Sequence, residues 1–98
     1  MKTFMITYRQ GSAWVEGKTI SEQPLQEHGA YILELYREGK LRFAGPFEDE
    51  SGGAAEIEVI NYEAAQAIAD QDPAGLNQLL VYEIRPWQLI AWERYGNA

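Results

Sequence analysis

Residues Ala54–Gln71 read AAEIEVINYEAAQAIADQ, and the spacing of their apolar positions changes partway along. Ala54 to Ile60 alternates, the two-residue period of a strand with one face turned inward. Asn61 is a helix-capping residue, and Ala64, Ala67 and Ile68 beyond it share one face of a short helix, YEAAQAIADQ. Asp72-Pro73 closes that helix, because the residue before a proline is pushed out of the α region. Downstream, Leu79 to Arg85 (LLVYEIR) is a further strand, Pro86-Trp87 a break, and QLIAWERY a fifth extended segment or tail. Upstream, the acidic turn PFEDESGG leads back to another strand at Leu41 to Ala44, which Gly45-Pro46 ends.

The N-terminal part supplies one more strand and one more helix. Lys2 to Tyr8 (KTFMITY) puts Phe4, Ile6 and Tyr8 on one face and Thr3, Met5 and Thr7 on the other, apolar enough on both for a central strand. The segment RQGSAWVEGKTI follows without helical period. Connections of that length are more often functional than idle, and Trp14 and Val15 must pack somewhere. Ser21 reads as the N-cap of a helix with Pro24 in its first turn, running to about Glu38 and stopped by Gly39. Leu25, His28, Gly29, Ile32, Leu35 and Tyr36 fall within an arc of about 120° on that helix.

The order β-α-β-β-α-β predicts an α+β, ferredoxin-like fold with an antiparallel sheet, the 98 residues forming one domain. Helices cover one face of such a sheet. The open face, and a tail carrying Trp87, Leu89, Ile90 and Trp92, predict a homodimer with residues 87–98 or so in the interface.

Composition narrows the function. Fifteen acidic against eight basic residues, a net charge of −7, argue against nucleic acid and anionic membranes as partners. The absence of cysteine excludes thiol catalysis, thiolate zinc sites and Fe–S clusters, and it fits a reducing, cytoplasmic setting. The opening MKTFMITYRQGSAW alternates rather than presenting an apolar signal core, and no stretch approaches the ~20 apolar residues of a membrane span.

Three places carry chemistry. His28 is the only histidine, and an imidazole is the ordinary proton-transfer group near neutral pH. It reads either as that or as a core histidine bonded to a backbone carbonyl. Asp72 follows the second helix on the same side of the sheet. It reads either as a turn aspartate or as the carboxylate that orients His28. The turn with Phe47, Asp49, Ser51, Gly52 and Gly53 reads either as a solvated hairpin or as a ligand-orienting loop. In the second case Ser51 and turn amides meet a small polar ligand, and Phe47 and Trp14 wall it. No phosphate-binding or hydrolase motif is present, and one histidine gives poor support for a metal site.

Taken in order, Tyr8-Arg9, Trp14, His28 in mid-helix, Gly45-Pro46-Phe47, Asp49 with Ser51-Gly52-Gly53, Asp72-Pro73 and Arg85-Pro86-Trp87 resemble the YCII-related (YciI-like) domain family. The likeness spans nearly the whole chain and is greatest to the branch with the GPF-D-x-SGG turn. It departs from the commoner DD-SGG form at Glu50, and the stretch AGLNQ after Asp-Pro is compact. The resemblance implies a ferredoxin-like dimer akin to the dimeric α+β barrels, and a histidine–aspartate active site that maps onto His28 and Asp72. The mechanism expected on these residues needs no cofactor. Together these readings give an expected activity: proton transfer on a small cyclic or enolisable molecule, by elimination or isomerisation. The alternative is a non-catalytic dimer that binds a small ligand or partner.

Overall fold

A computed structural model describes residues 1–96 of the chain. Strand β1 (Lys2–Gln10), helix α1 (Gln26–Arg37), strands β2 (Leu41–Pro46) and β3 (Gly52–Val59), helix α2 (Tyr62–Asp70), the single turn α3 (Pro73–Leu76) and strand β4 (Leu80–Pro86) follow in order. The strands form one sheet in the order β2-β3-β1-β4, every neighbouring pair antiparallel. This is the ferredoxin-like α+β arrangement. β1, apolar on both faces, takes a central place.

Period decides what is buried. Phe4 and Ile6 of β1 and Ala55, Ile57 and Val59 of β3 point to the helical side and meet Leu35 of α1 and Ala65 and Ala69 of α2. Burial at these positions supplies most of the stabilisation, on the order of 1.5–3 kcal/mol for each large side chain. A smaller apolar group, Ala74, Leu79 and Leu80, packs with Tyr8, Trp14 and Leu25 under the long segment after β1, so Trp14 finds its place there.

Several local expectations are corrected. Helix α1 starts at Gln26, not after Ser21. Thr19 and Glu22 form a capping box around a 3-10 turn, Ile20–Glu22, and Gln23 then leaves the helical region at ψ 150°. The cause is Pro24, which disfavours helix at the residue before it. His28 therefore sits in the first turn of α1 rather than its middle. Tyr36 is 61% exposed, while Tyr31, one turn back along the helix and outside the predicted arc, packs toward α2 and donates its hydroxyl to the Ile68 carbonyl at 2.8 Å.

Asn61 caps α2 as expected, its side chain accepting from the Ala64 N–H, but the buried face is Ala65 and Ala69 rather than Ala67. Asp72-Pro73 ends α2 and also starts α3: aspartate at the N-cap and proline at the first position favour a new turn. Strand β2 runs on through Gly45-Pro46. Beyond β4 there is no fifth strand among the described residues. The tail holds only a 3-10 turn, Trp92–Arg94, and residues 97 and 98 of the expected interface segment lie outside the described part.

Candidate functional site

The first turn of α1 and the N-cap of α3 meet over the end of β1. There the Nδ1 of His28 lies 2.8 Å from both Oδ1 and Oδ2 of Asp72. Asp72 is 2% exposed, and its Oδ1 also accepts from the Ala74 N–H at 2.9 Å. The carboxylate is thus fixed from two sides, by the helical turn it caps and by the imidazole. A carboxylate accepts, so Nδ1 donates, and Nε2 is left as the nitrogen free to take or give a proton. The ring of Tyr8 stands edge-on to that of His28, with centroids 5.6 Å apart.

His28 opens onto a cavity of about 210 Å³. Leu25 at the N-cap of α1, with Gly29 and Ile32 of the helix, forms one wall, Trp14 and Ile20 of the long loop another. Gly52, Gly53 and Ala54 of β3, with Ala44 to Pro46 of β2, form the floor. The lining is overwhelmingly apolar and holds no lysine, arginine, aspartate or glutamate. Its titratable side chains are His28 and Tyr8. Burial, reinforced by the charge of Asp72 and by Tyr31 and Tyr82, pushes the Tyr8 phenol well above the usual tyrosine range.

Loop order is what closes this cavity. Gln23 is 2% exposed and clasps the segment. It accepts from the Val15 N–H at 2.9 Å and donates to the Val15 and Lys18 carbonyls at 2.8 and 3.2 Å. Glu50, in the left-handed region at φ 64°, accepts from the Ile20 N–H at 2.6 Å. The acidic turn thereby holds the far end of the long loop over the floor. Glu50 thus has a defined structural role in the turn.

The predicted residues divide. The structure brings His28, Asp72, Trp14 and Gly52 together at or beside the cavity. It leaves Phe47, 44% exposed, and Ser51 outside the lining. The Ser51 hydroxyl and N–H both donate to Asp49 Oδ1, at 2.6 and 2.9 Å, and these bonds hold the Asp49 carboxyl below its ordinary range. That is turn chemistry. Gly52 and Gly53 are required by packing: a Cβ at Gly52 would collide with the Tyr8 carbonyl, and one at Gly53 would sit 2.6 Å from that of Gly45. Sequence reasoning passed over Tyr8, Gly29, Ile32 and Gln23. The inward alternation of β1 was a usable signal for Tyr8, and Gly29 and Ile32 lay in the predicted apolar arc. Gln23 offered none.

Among the described residues no three His, Asp or Glu side chains gather as a metal-ligand set, and no helix is long and apolar enough to cross a membrane.

A ferredoxin-like α+β domain with a histidine–carboxylate pair at an apolar cavity is the class defined so far. Residues 1–88 match the YCII-related domain, and the chain belongs to that family. An uncharacterised Bacillus subtilis protein, YjpA, is 30% identical over 69 residues, which cover 70% of this chain and 81% of that protein. The 5-chloro-2-hydroxyhydroquinone dehydrochlorinase TftG of Burkholderia phenoliruptrix, solved with 2,5-dihydroxybenzoquinone, shares the fold at a TM-score of 0.60. Identity to it is 18%, with 88% of this chain and 93% of that one covered.

Proposed function

We propose that this protein is a cofactor-free enzyme of proton transfer, acting on a small, uncharged, enolisable ring compound by isomerisation or elimination. The observation that carries the reading is the His28–Asp72 pair at the wall of a cavity without charged side chains. Asp72 holds Nδ1, so Nε2 removes a proton from a carbon of the bound molecule. The C–H electron pair becomes a C=C bond, and the carbonyl π pair moves onto oxygen. Return of the proton at a different carbon completes an isomerisation. Departure of a leaving group with its bonding pair completes an elimination.

Size and charge set the substrate class. An apolar cavity of roughly 150 Å³ accepts benzene, so about 210 Å³ suits one substituted ring. With no cation in the lining, phosphates and carboxylates have nothing to pair with. The reaction for which TftG is named, dehydrochlorination of a hydroxylated ring, is of this kind and supports the reading. We further propose that the working unit is a homodimer in a cytoplasmic setting, which fits the apolar tail and the cysteine-free composition.

The test is exchange of the methyl protons of acetophenone for deuterium in heavy water, followed by proton NMR, beside elimination from 5-chloro-2-hydroxyhydroquinone. Wild type should accelerate one or both, and His28→Ala should lose at least a hundredfold while remaining folded. A protein that binds these rings but turns over neither is the non-catalytic binding module instead.

A further inference from the structure

Tyr8 is the one hydroxyl-bearing side chain in the cavity lining, and the His28–Asp72 reading leaves it unused. It points to the helical side of β1, opposite Gly53 on β3 and Tyr82 on β4. Its two tyrosine neighbours are both engaged: Tyr31 donates to the Ile68 carbonyl and Tyr82 to the Asp70 carboxylate. Among the described residues the Tyr8 hydroxyl has no such partner. Nor is it sealed in, because no buried side-chain polar atom of the described structure is orphaned. The hydroxyl is therefore not fully closed off. Tyr8 lines the apolar cavity that His28 also lines.

We propose that Tyr8 is the hydrogen-bond donor that receives the ligand's carbonyl or hydroxyl oxygen, on the cavity wall beside His28. The inference rests on the proton-transfer reading and adds the group that reading lacks, because the turn around Ser51 is occupied with Asp49 and lies outside the lining. As Nε2 of His28 takes a proton from carbon, negative charge collects on the oxygen two atoms away. A phenol held neutral by burial and by the Asp72 charge stays a donor throughout and gives up no proton of its own. The consequence is a specificity rule: the site prefers a ring bearing an oxygen acceptor to a plain ring of similar size.

The experiment compares acetophenone with toluene, titrated into wild type, Tyr8→Phe and Tyr82→Phe, with binding followed by the ring signals of the single histidine. Tyr8→Phe should weaken acetophenone about three- to tenfold, the range of one neutral hydrogen bond, and leave toluene unchanged. Tyr82→Phe should alter neither. Because toluene reports the shape of the cavity within the same variant, a general loosening of packing would weaken both probes and overturn the assignment, as would acetophenone affinity that Tyr8→Phe leaves unchanged. Those results would leave the His28–Asp72 reading standing. Failure of acetophenone to bind wild type at all would remove both.

Discussion

At the scale of single residues, the central arrangement depends on a carboxylate with two duties. Asp72 caps α3 and holds His28, so the local chemistry of a turn and the chemistry of a site use the same oxygens. This explains why Asp72 was ambiguous in sequence: an aspartate before a proline is a common turn residue, and nothing nearby says that His28, 44 positions away, comes within bonding distance. Tyr8 gives a pH prediction of definite sign. Below about pH 10 both folded and unfolded chains hold its proton, whereas above it the unfolded chain ionises while the buried phenol does not. Stability is therefore lost as pH rises past that range. Tyr31 and Tyr82, also raised, add to the loss. Urea midpoints at about pH 9 and pH 11 should show a smaller fall in Tyr8→Phe than in wild type. An equal fall would contradict the placement of Tyr8.

At the scale of elements, what could be read in advance follows from how local each cause is. The strands were legible because alternation is local: β1 and β3 expose in their own letters which residues face the core. Asn61 was legible for the same reason, since a cap bonds within three residues. The start of α1 was misplaced because Ser21 and Glu22 resemble a helix opening, yet Pro24 forbids the helix from passing Gln23. The restriction applied at Asp72-Pro73 holds equally one helix earlier. The ordering of the long loop was not legible at all, because it depends on the distant Glu50 and on the buried amide of Gln23. Glu50→Ala removes the bond to the Ile20 N–H and leaves the sheet intact. Hydrogen exchange at Ile20 should accelerate by tenfold or more, while protection in β1 and β3 stays as in wild type. Unchanged exchange at Ile20 would mean that the turn does not hold the loop.

At the scale of the whole molecule, shape and surface point the same way. The described chain spans 49 × 29 × 22 Å with a radius of gyration of 14.7 Å, against about 13 Å for a compact domain of this length. The excess accompanies a tail whose Leu89, Ile90, Trp92 and Tyr95 are each about half exposed or more. On the open sheet face, Arg42 pairs with Glu56 and Glu58 at 3.3 and 2.8 Å, and Phe43 is 67% exposed. Single surface ion pairs contribute little, and the exposed apolar tail is the feature on which the proposed homodimer rests. Sedimentation equilibrium should give twice the chain mass of 11.1 kDa, reverting toward one chain when Trp92 and Tyr95 are both replaced by serine. A monomer in both cases would remove the dimer from the account.

The claim on which the rest depends is that His28, held by Asp72, moves protons on a neutral ring. It is tested most directly by deuterium exchange of acetophenone in three proteins: wild type, His28→Ala and Asp72→Asn. The account predicts catalysed exchange in wild type, loss of at least a hundredfold in His28→Ala, and an intermediate loss in Asp72→Asn, in which Nδ1 keeps a partner but loses the carboxylate. Exchange that is catalysed equally by all three proteins would contradict it.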